Sequence, residues 1–150
     1  MQAELRGLAT AEDWASYHAI RRRVLFELRG NSAAYDETHP DERRSGHHPF
    51  LLWAAGTAVG AIRVDIDGER AIFRRVAIRE DFQRRGYGRH MIEAAEQFAR
   101  QRHCTRVESH VDSGAVGFYE RCGFTHATPA TVGQTAPLMI KVLDQDAPRP

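Results

Sequence analysis

The stretch that decides the fold is Val76–Ile92, ValAlaIleArgGluAspPheGlnArgArgGlyTyrGlyArgHisMetIle. An apolar strand end runs into a loop broken by Gly86 and Gly88. The loop opens directly into a helical pattern whose buried stripe is Met91, Ile92, Ala95, Phe98 and Ala99. The first amides of such a helix have no partner inside it, so its N-terminus offers N–H groups and a positive dipole end to an anion. The charges sharpen that expectation. Arg84, Arg85 and Arg89 crowd the end where a cation is normally unfavourable by about 0.3–1 kcal/mol. Three arginines make sense there if an anionic ligand, such as a pyrophosphate, occupies the terminus. Gly-x-Gly by itself fits a solvated turn equally well. A P-loop is excluded, because no GlyLysSer or GlyLysThr follows, and the third glycine and βαβ order of a Rossmann fingerprint are missing.

Working outward, the order of elements reads β-α-βββ-α-β-α-ββ. Leu5 to Leu8 forms a short strand, and Thr10 with Asp13 caps a helix over residues 11 to 28. Gly30 to Pro49 is polar and reads as a long loop with a short helix around Asp41 to Arg44. Three strands follow in meander order, Phe50 to Ala54, Val59 to Asp67 and Ala71 to Ile78, with Asp67-Gly68 as a hairpin turn. In the second of them Ile62, Val64 and Ile66 share one face and Arg63, Asp65 and Asp67 the other. After the central helix come a strand at Arg106 to Val111 and a short helix capped by Asp112 or Ser113. That helix ends at Cys122, with Gly123 as its C′ residue. Phe124 to Ala127 and Leu138 to Leu143 are the last strands. The layout is mixed α/β (α+β) and not a doubly wound parallel sheet. Residues 1–143 form one domain, and 144–150 read as a flexible tail.

Composition narrows the function classes. The chain has 150 residues and a net charge of +1, with twenty arginines beside the single lysine, Lys141. That balance argues against nucleic acid or a membrane surface as partner, since both need a broad excess of cations. No apolar run is long enough to span a bilayer. The N-terminal stretch lacks the apolar region of a secretory signal, so a cytoplasmic setting is expected. Cys104 and Cys122 read as packing thiols, and His39, His47 and His48 as loop histidines without metal-ligand spacing.

Two segments together resemble the GNAT N-acetyltransferase superfamily. Gln83, Gly86 and Gly88 match its acyl-CoA-binding motif, Gln/Arg-x-x-Gly-x-Gly/Ala. The segment AspSerGlyAlaValGlyPheTyrGluArgCysGlyPhe, 112–124, is similar to the family's closing Asn-x-x-Ala-x-x-Phe-Tyr-x-x-x-Gly-Phe, with Ala115, Phe118, Tyr119, Gly123 and Phe124 in register. Asp112 departs from the usual Asn, which leaves open whether it contacts the cofactor or caps the helix. The resemblance implies a largely antiparallel sheet of six to seven strands flanked by helices. It also implies acetyl-CoA as acyl donor, with no metal.

The same resemblance assigns roles by position. The loop Gln83, Arg84, Arg85, Gly86, Tyr87, Gly88 and Arg89 would cradle the pyrophosphate. Val76, Ala77 and Ile78 would present backbone groups to the pantetheine arm, in a slot opened where their strand splays from Arg106–Val111. Tyr119 matches the general acid that protonates the departing thiolate. The base is less determined: Glu108 and His110 share a strand face, and His110 has a suitable unperturbed pKa near 6.5. Asp65, Asp67 and Arg74 read first as solvated strand residues. The acidic residues Asp36, Glu37, Asp41 and Glu42 offer a negative patch for a cationic amine, or a solvated surface. The expected activity is acetyl transfer to a primary amine of a small molecule or peptide, by a monomer or a homodimer. The alternative is a non-catalytic acyl-CoA-binding sensor or interaction module on the same fold.

Overall fold

The strands are β1 (Glu4–Gly7), β2 (His47–Ala54), β3 (Thr57–Asp67), β4 (Arg70–Ile78), β5 (Arg106–His110), β6 (Thr125–His126) and β7 (Leu138–Val142). The α-helices are α1 (Ala11–Arg22), α2 (Tyr87–Gln101) and α3 (Val116–Arg121). They come from a computed structural model that describes residues 2–127 and 136–144. The strands make one seven-stranded sheet in the order β1-β2-β3-β4-β5-β7-β6. All neighbours are antiparallel except β4 and β5, which run parallel. The mixed, largely antiparallel sheet expected from the sequence is therefore present. Of the expected tail, residues 145–150 lie outside the described residues.

Each face of the sheet packs on a different helix. Leu52, Ile62, Val64 and Phe73 meet Met91, Ile92, Ala95 and Ala99 of α2 in one apolar cluster. Tyr17 and Ile20 of α1 cover Leu51, Ala61 and Ala77 on the other face. Fully burying each of the large side chains contributes roughly 1.5–3 kcal/mol, so these clusters fix the layer order. The N-terminus of α1 is capped as expected: Thr10 Oγ1 accepts from Asp13 N at 3.0 Å, and Asp13 Oδ2 accepts from Thr10 N at 3.1 Å.

Three local readings change. The helix expected over 11–28 switches at Arg23 to a π-helical turn, Arg23–Glu27, in which Leu28 N reaches Arg23 O at 3.0 Å. Such turns often mark functional sites. The loop expected over 30–49 holds 3-10 turns at Ser32–Ala34 and Pro40–Arg43, and β2 starts at His47 rather than Phe50. His47 and His48 pair with Asp65 and Val64, a ladder that apolar alternation could not reveal. Asp112 does not cap α3. It precedes a 3-10 turn, Ser113–Ala115, makes no side-chain cap bond, and pairs instead with Arg29 at 2.5 Å.

Candidate active site

The site begins where a strand ladder stops. β4 and β5 pair only from Arg70–Ile72 to Arg106–Glu108. Beyond Ile72 the strands part, and a cavity of about 270 Å³ opens between Phe73–Val76 and Ser109–Asp112. Ala115 and Tyr119 close it on one side, Leu25 and Arg29 on the other. The Arg29–Asp112 ion pair spans its rim, so Asp112, expected near the cofactor, has a partner of its own chain.

A bulge shapes the β4 wall. Ala61 pairs with Ala77 but Arg63 pairs with Arg74, so Ile62 faces two residues, Arg75 and Val76. Arg75 takes a left-handed φ of 57°, uncommon for a side chain of its size. The extra residue resets the alternation. Val76 and Ile78 turn to the α2-side core, while Ala77 packs with Leu51 and Ala61 on the α1 side. The β5-side backbone edge of Val76–Ile78 lies beyond the β4–β5 ladder, which ends at Ile72. An extended chain can pair with such an edge.

Tyr119 reaches the slot from α3. It is 6% exposed, set edge-on to Phe118 and Phe124 at 5.4 and 5.2 Å. Burial pushes its pKa up to about 12, against a smaller opposite pull from Ser109, so at neutral pH it is a protonated phenol able to donate. Ser109 donates its hydroxyl to Phe73 O at 3.2 Å, across the gap where the ladder has ended.

The loop ahead of α2 fits an anion. Arg84 and Gly86 both have left-handed φ, 62° and 87°, and none of the amides of residues 84–89 has an acceptor among the described residues. Successive free amides of this kind form an anion-binding nest. Gly88 serves packing: a Cβ there would come within 3.2 Å of the Phe118 ring, so glycine lets the start of α2 approach α3. Gln83 ties the loop to β4 by donating to Ile78 O at 2.9 Å. Tyr87 stands edge-on to Phe82 at 5.9 Å. The arginines divide: Arg85 lies over Phe82 and Arg89 pairs with Glu93 at 3.2 Å, whereas Arg84 makes no ion pair among the described residues.

The acidic loop differs from the expected negative patch. Glu37 pairs with Arg22, Asp41 with Arg44, and Asp36 accepts from Thr38. Glu42 is only 6% exposed, between Arg21 Nη1 at 2.6 Å and Arg63 Nη1 at 3.2 Å. Burial raises its pKa, but Arg21 foremost, with the Tyr17 hydroxyl and Arg63, outweighs that and holds it below the usual range. Asp65, read from the sequence as solvated, is 4% exposed and clamped by Arg63 at 2.8 and 3.0 Å. Of the chain Arg21–Glu42–Arg63–Asp65, the first three line a second cavity of about 250 Å³ that shares Arg74 and Arg75 with the slot.

Among the base candidates, Glu108 is held by Arg70 and Arg106, both at 3.0 Å, and is engaged in structure. His110 is exposed and lines the slot. Both cysteines are buried, and burial pushes both thiols up. No group of three His, Cys, Asp or Glu among the described residues is placed to hold a metal. No described helix is long and apolar enough to cross a membrane. Sequence reasoning missed Arg29, Arg75 and Leu25. The signal for Arg75 was two adjacent arginines inside IlePheArgArgValAlaIle, which breaks a period of two.

Comparison with known proteins agrees with this geometry. The model of the "Acetyltransferase (GNAT) family" matches residues 8–124. A Bacillus subtilis (strain 168) protein named as a candidate acetyltransferase is 23% identical over 124 residues, 83% of this chain and 84% of that one. A Lactobacillus plantarum protein crystallised as a candidate N-acetyltransferase is 27% identical, with a TM-score of 0.78 over 94% of this chain and 98% of that one. The PaiA N-acetyltransferase of Thermoplasma acidophilum, solved with coenzyme A, shares the fold at 18% identity, with a TM-score of 0.75 over 95% of this chain and all of that one.

Proposed function

The chain belongs to the GNAT acetyltransferase family, and from that premise we propose that it moves an acetyl group from acetyl-CoA to a primary amine of a small molecule or peptide. The amine attacks directly in a ternary complex, without an acyl-enzyme. The observation that carries the reading is the slot between β4 and β5, with a buried phenol on one wall and a free strand edge on the other. When bound, acetyl-CoA supplies an acetyl group activated as a thioester.

The residues divide the work by chemistry. Amides of residues 84–89 hold the pyrophosphate, and Arg84 is the side chain left to add charge there. The edge of Val76, Ala77 and Ile78 orients the arm and offers amides to the oxygen on which negative charge builds. Tyr119 donates to the departing sulfur, and its burial keeps the proton in place until that charge develops. His110 accepts the amine's proton, directly or through water, because Glu108 is already paired. No side chain in the slot replaces the amine as nucleophile: the thiols are buried and Ser109 is bonded to Phe73 O.

Titration with acetyl-CoA in a calorimeter, followed by CoA release with a panel of amines, tests this. Saturable binding with amine-dependent CoA release is expected. No binding overturns the assignment, and binding without release for any amine identifies the non-catalytic acyl-CoA module instead.

A further inference from the structure

Within β4 the chain places two consecutive arginines on one side of the sheet. A regular strand would send Arg75 to the α2 face with Phe73, into an apolar core. The bulge prevents this and holds Arg75 in the wall common to both cavities, at the cost of a left-handed backbone. Strain of this kind persists where the surroundings enforce it, and it concentrates at ligand sites.

The charges around Arg75 do not balance within the chain. Arg21 and Arg63 share Glu42, Arg63 also clamps Asp65, and Arg74 leans on the same Asp65 at 3.5 Å. Arg75 has no carboxylate within ion-pair distance among the described residues. Its guanidinium lies over the Phe26 ring, with the guanidinium carbon 5.0 Å from the ring centroid. Burial weighs most against the charge of Arg75, Arg21 and Arg63 are near enough for their positive charge to oppose it too, and Glu42 and Tyr35 act in the opposite sense. Elsewhere in the second cavity Asp41 is paired with Arg44, and Asp36 is held by hydrogen bonds from Thr38 rather than turned to Arg75. A guanidinium lying on an aromatic face keeps its N–H edge free, and that edge matches a carboxylate in two-pronged geometry.

We propose that the acceptor is an amine that also carries a carboxylate, and that Arg75 binds this carboxylate. This rests on the acetyltransferase reading and adds the substrate class. A carboxylate at Arg75 lies at the boundary of the 250 Å³ cavity and leaves the amine in the slot beside Tyr119. The rest of the acceptor occupies the second cavity, whose size suits an amino acid rather than a folded protein surface. Of the acids lining that cavity, Glu42 and Asp41 are matched by arginines, which leaves Asp36 as the one carboxylate there without a cationic partner among the described residues.

The test compares free amino acids with their amides and with the corresponding decarboxylated amines, reading CoA release at saturating acetyl-CoA. Carboxylate-bearing acceptors are expected to dominate. Arg75→Gly keeps the left-handed backbone without a steric penalty and removes the guanidinium. It should lower kcat/KM for those acceptors roughly 10- to 100-fold, mainly through KM, the range of a hydrogen bond to a charged group. Decarboxylated amines should lose roughly tenfold less than the carboxylates, the carboxylate contact being the part that the two acceptor classes do not share, and Arg75→Lys should restore part of the difference. Equal turnover of amines lacking the carboxylate, or an equal loss for both classes, overturns the proposal. A second arm titrates CoA-saturated protein with N-acetylated amino acids and their amides. Tighter binding of the acids that vanishes in Arg75→Gly supports the site, and equal or absent binding refutes it. Failure of every amine to turn over defeats the acetyltransferase reading alone, since the titration still decides the anion site.

Discussion

The two faces of the sheet handle buried charge in opposite ways. On the α2 side the packing is apolar, and one buried acid, Glu96, is met by Lys141 at 3.0 Å. Burial raises the pKa of Glu96, and Lys141, itself 25% exposed, offsets only part of that. On the α1 side Glu42 sits between two guanidiniums and its pKa falls. Two close cationic donors outweigh the cost of burying a carboxylate's charge, whereas a single partly exposed ammonium offsets only part of it. The α2 face is therefore built for packing. The α1 face carries, beside its apolar cluster, a fixed ionic network at the edge of the second cavity.

Tyr119 crosses that division, because it belongs to the α2-side core yet faces the slot. Tyr119→Phe keeps the ring packing and removes only the donor. Turnover should fall by roughly 10²–10⁴, the range of general acid catalysis, with acetyl-CoA affinity and the urea midpoint nearly unchanged. Unchanged turnover would return Tyr119 to the core and leave the slot without its acid.

Glu42→Ala attacks the α1 face at its centre. It leaves Arg21, 2% exposed, without its carboxylate, and removes one partner of Arg63. Breaking a buried pair from one side costs about 3–5 kcal/mol, and urea unfolding should show a loss of that order. A loss below about 1 kcal/mol would mean that water reaches Arg21, and that this face is less rigid than its ion pairs imply.

How much of this was legible depended on whether the pattern was local. The order of strands, the Thr10 cap and the glycine loop follow from residues close in sequence, and all are present. The slot was anticipated only through likeness to a family, since no local pattern says where two parallel strands stop pairing. Asp65 read as a solvated strand residue because alternation marks which residues share a side, here with Arg63, not what covers them. Their cover is the Pro40–Arg43 turn, some twenty residues away in sequence, whose Glu42 inserts beside them. The bulge at Arg75 was hidden for the same reason: its register is set by β3, not by β4 alone.

A smaller effect is expected at the α2 N-terminus. Replacing Arg84, Arg85 and Arg89 together with alanine should raise the Kd for acetyl-CoA, each charge contributing about 0.3–1 kcal/mol at most. Arg84 should account for most of it, because Arg85 rests on Phe82 and Arg89 is engaged by Glu93. Equal shares among the three single variants would show that those contacts give way when the anion binds. An unaltered Kd would assign binding to the amides alone.

The smallest effect is the most discriminating, because it differs in sign between the faces. Glu42 has a lowered folded pKa, so its contribution is complete above the ordinary carboxylate value near 4.5 and is lost as pH falls through the lower folded value. Glu96 has a raised folded pKa. It favours the folded state most below about pH 4.5, and that advantage is lost as pH rises through the raised value. Glu96→Gln keeps an oxygen for the Lys141 ammonium, so its cost at neutral pH should stay within about 1 kcal/mol. Urea unfolding between pH 3.5 and 7, roughly the range bracketing ordinary carboxylate titration, gives the wild-type advantage over each variant. That advantage should grow with pH for Glu42→Gln and shrink with pH for Glu96→Gln. Parallel slopes would show that Lys141 compensates Glu96 as fully as two arginines compensate Glu42, and the electrostatic contrast between the faces would fail.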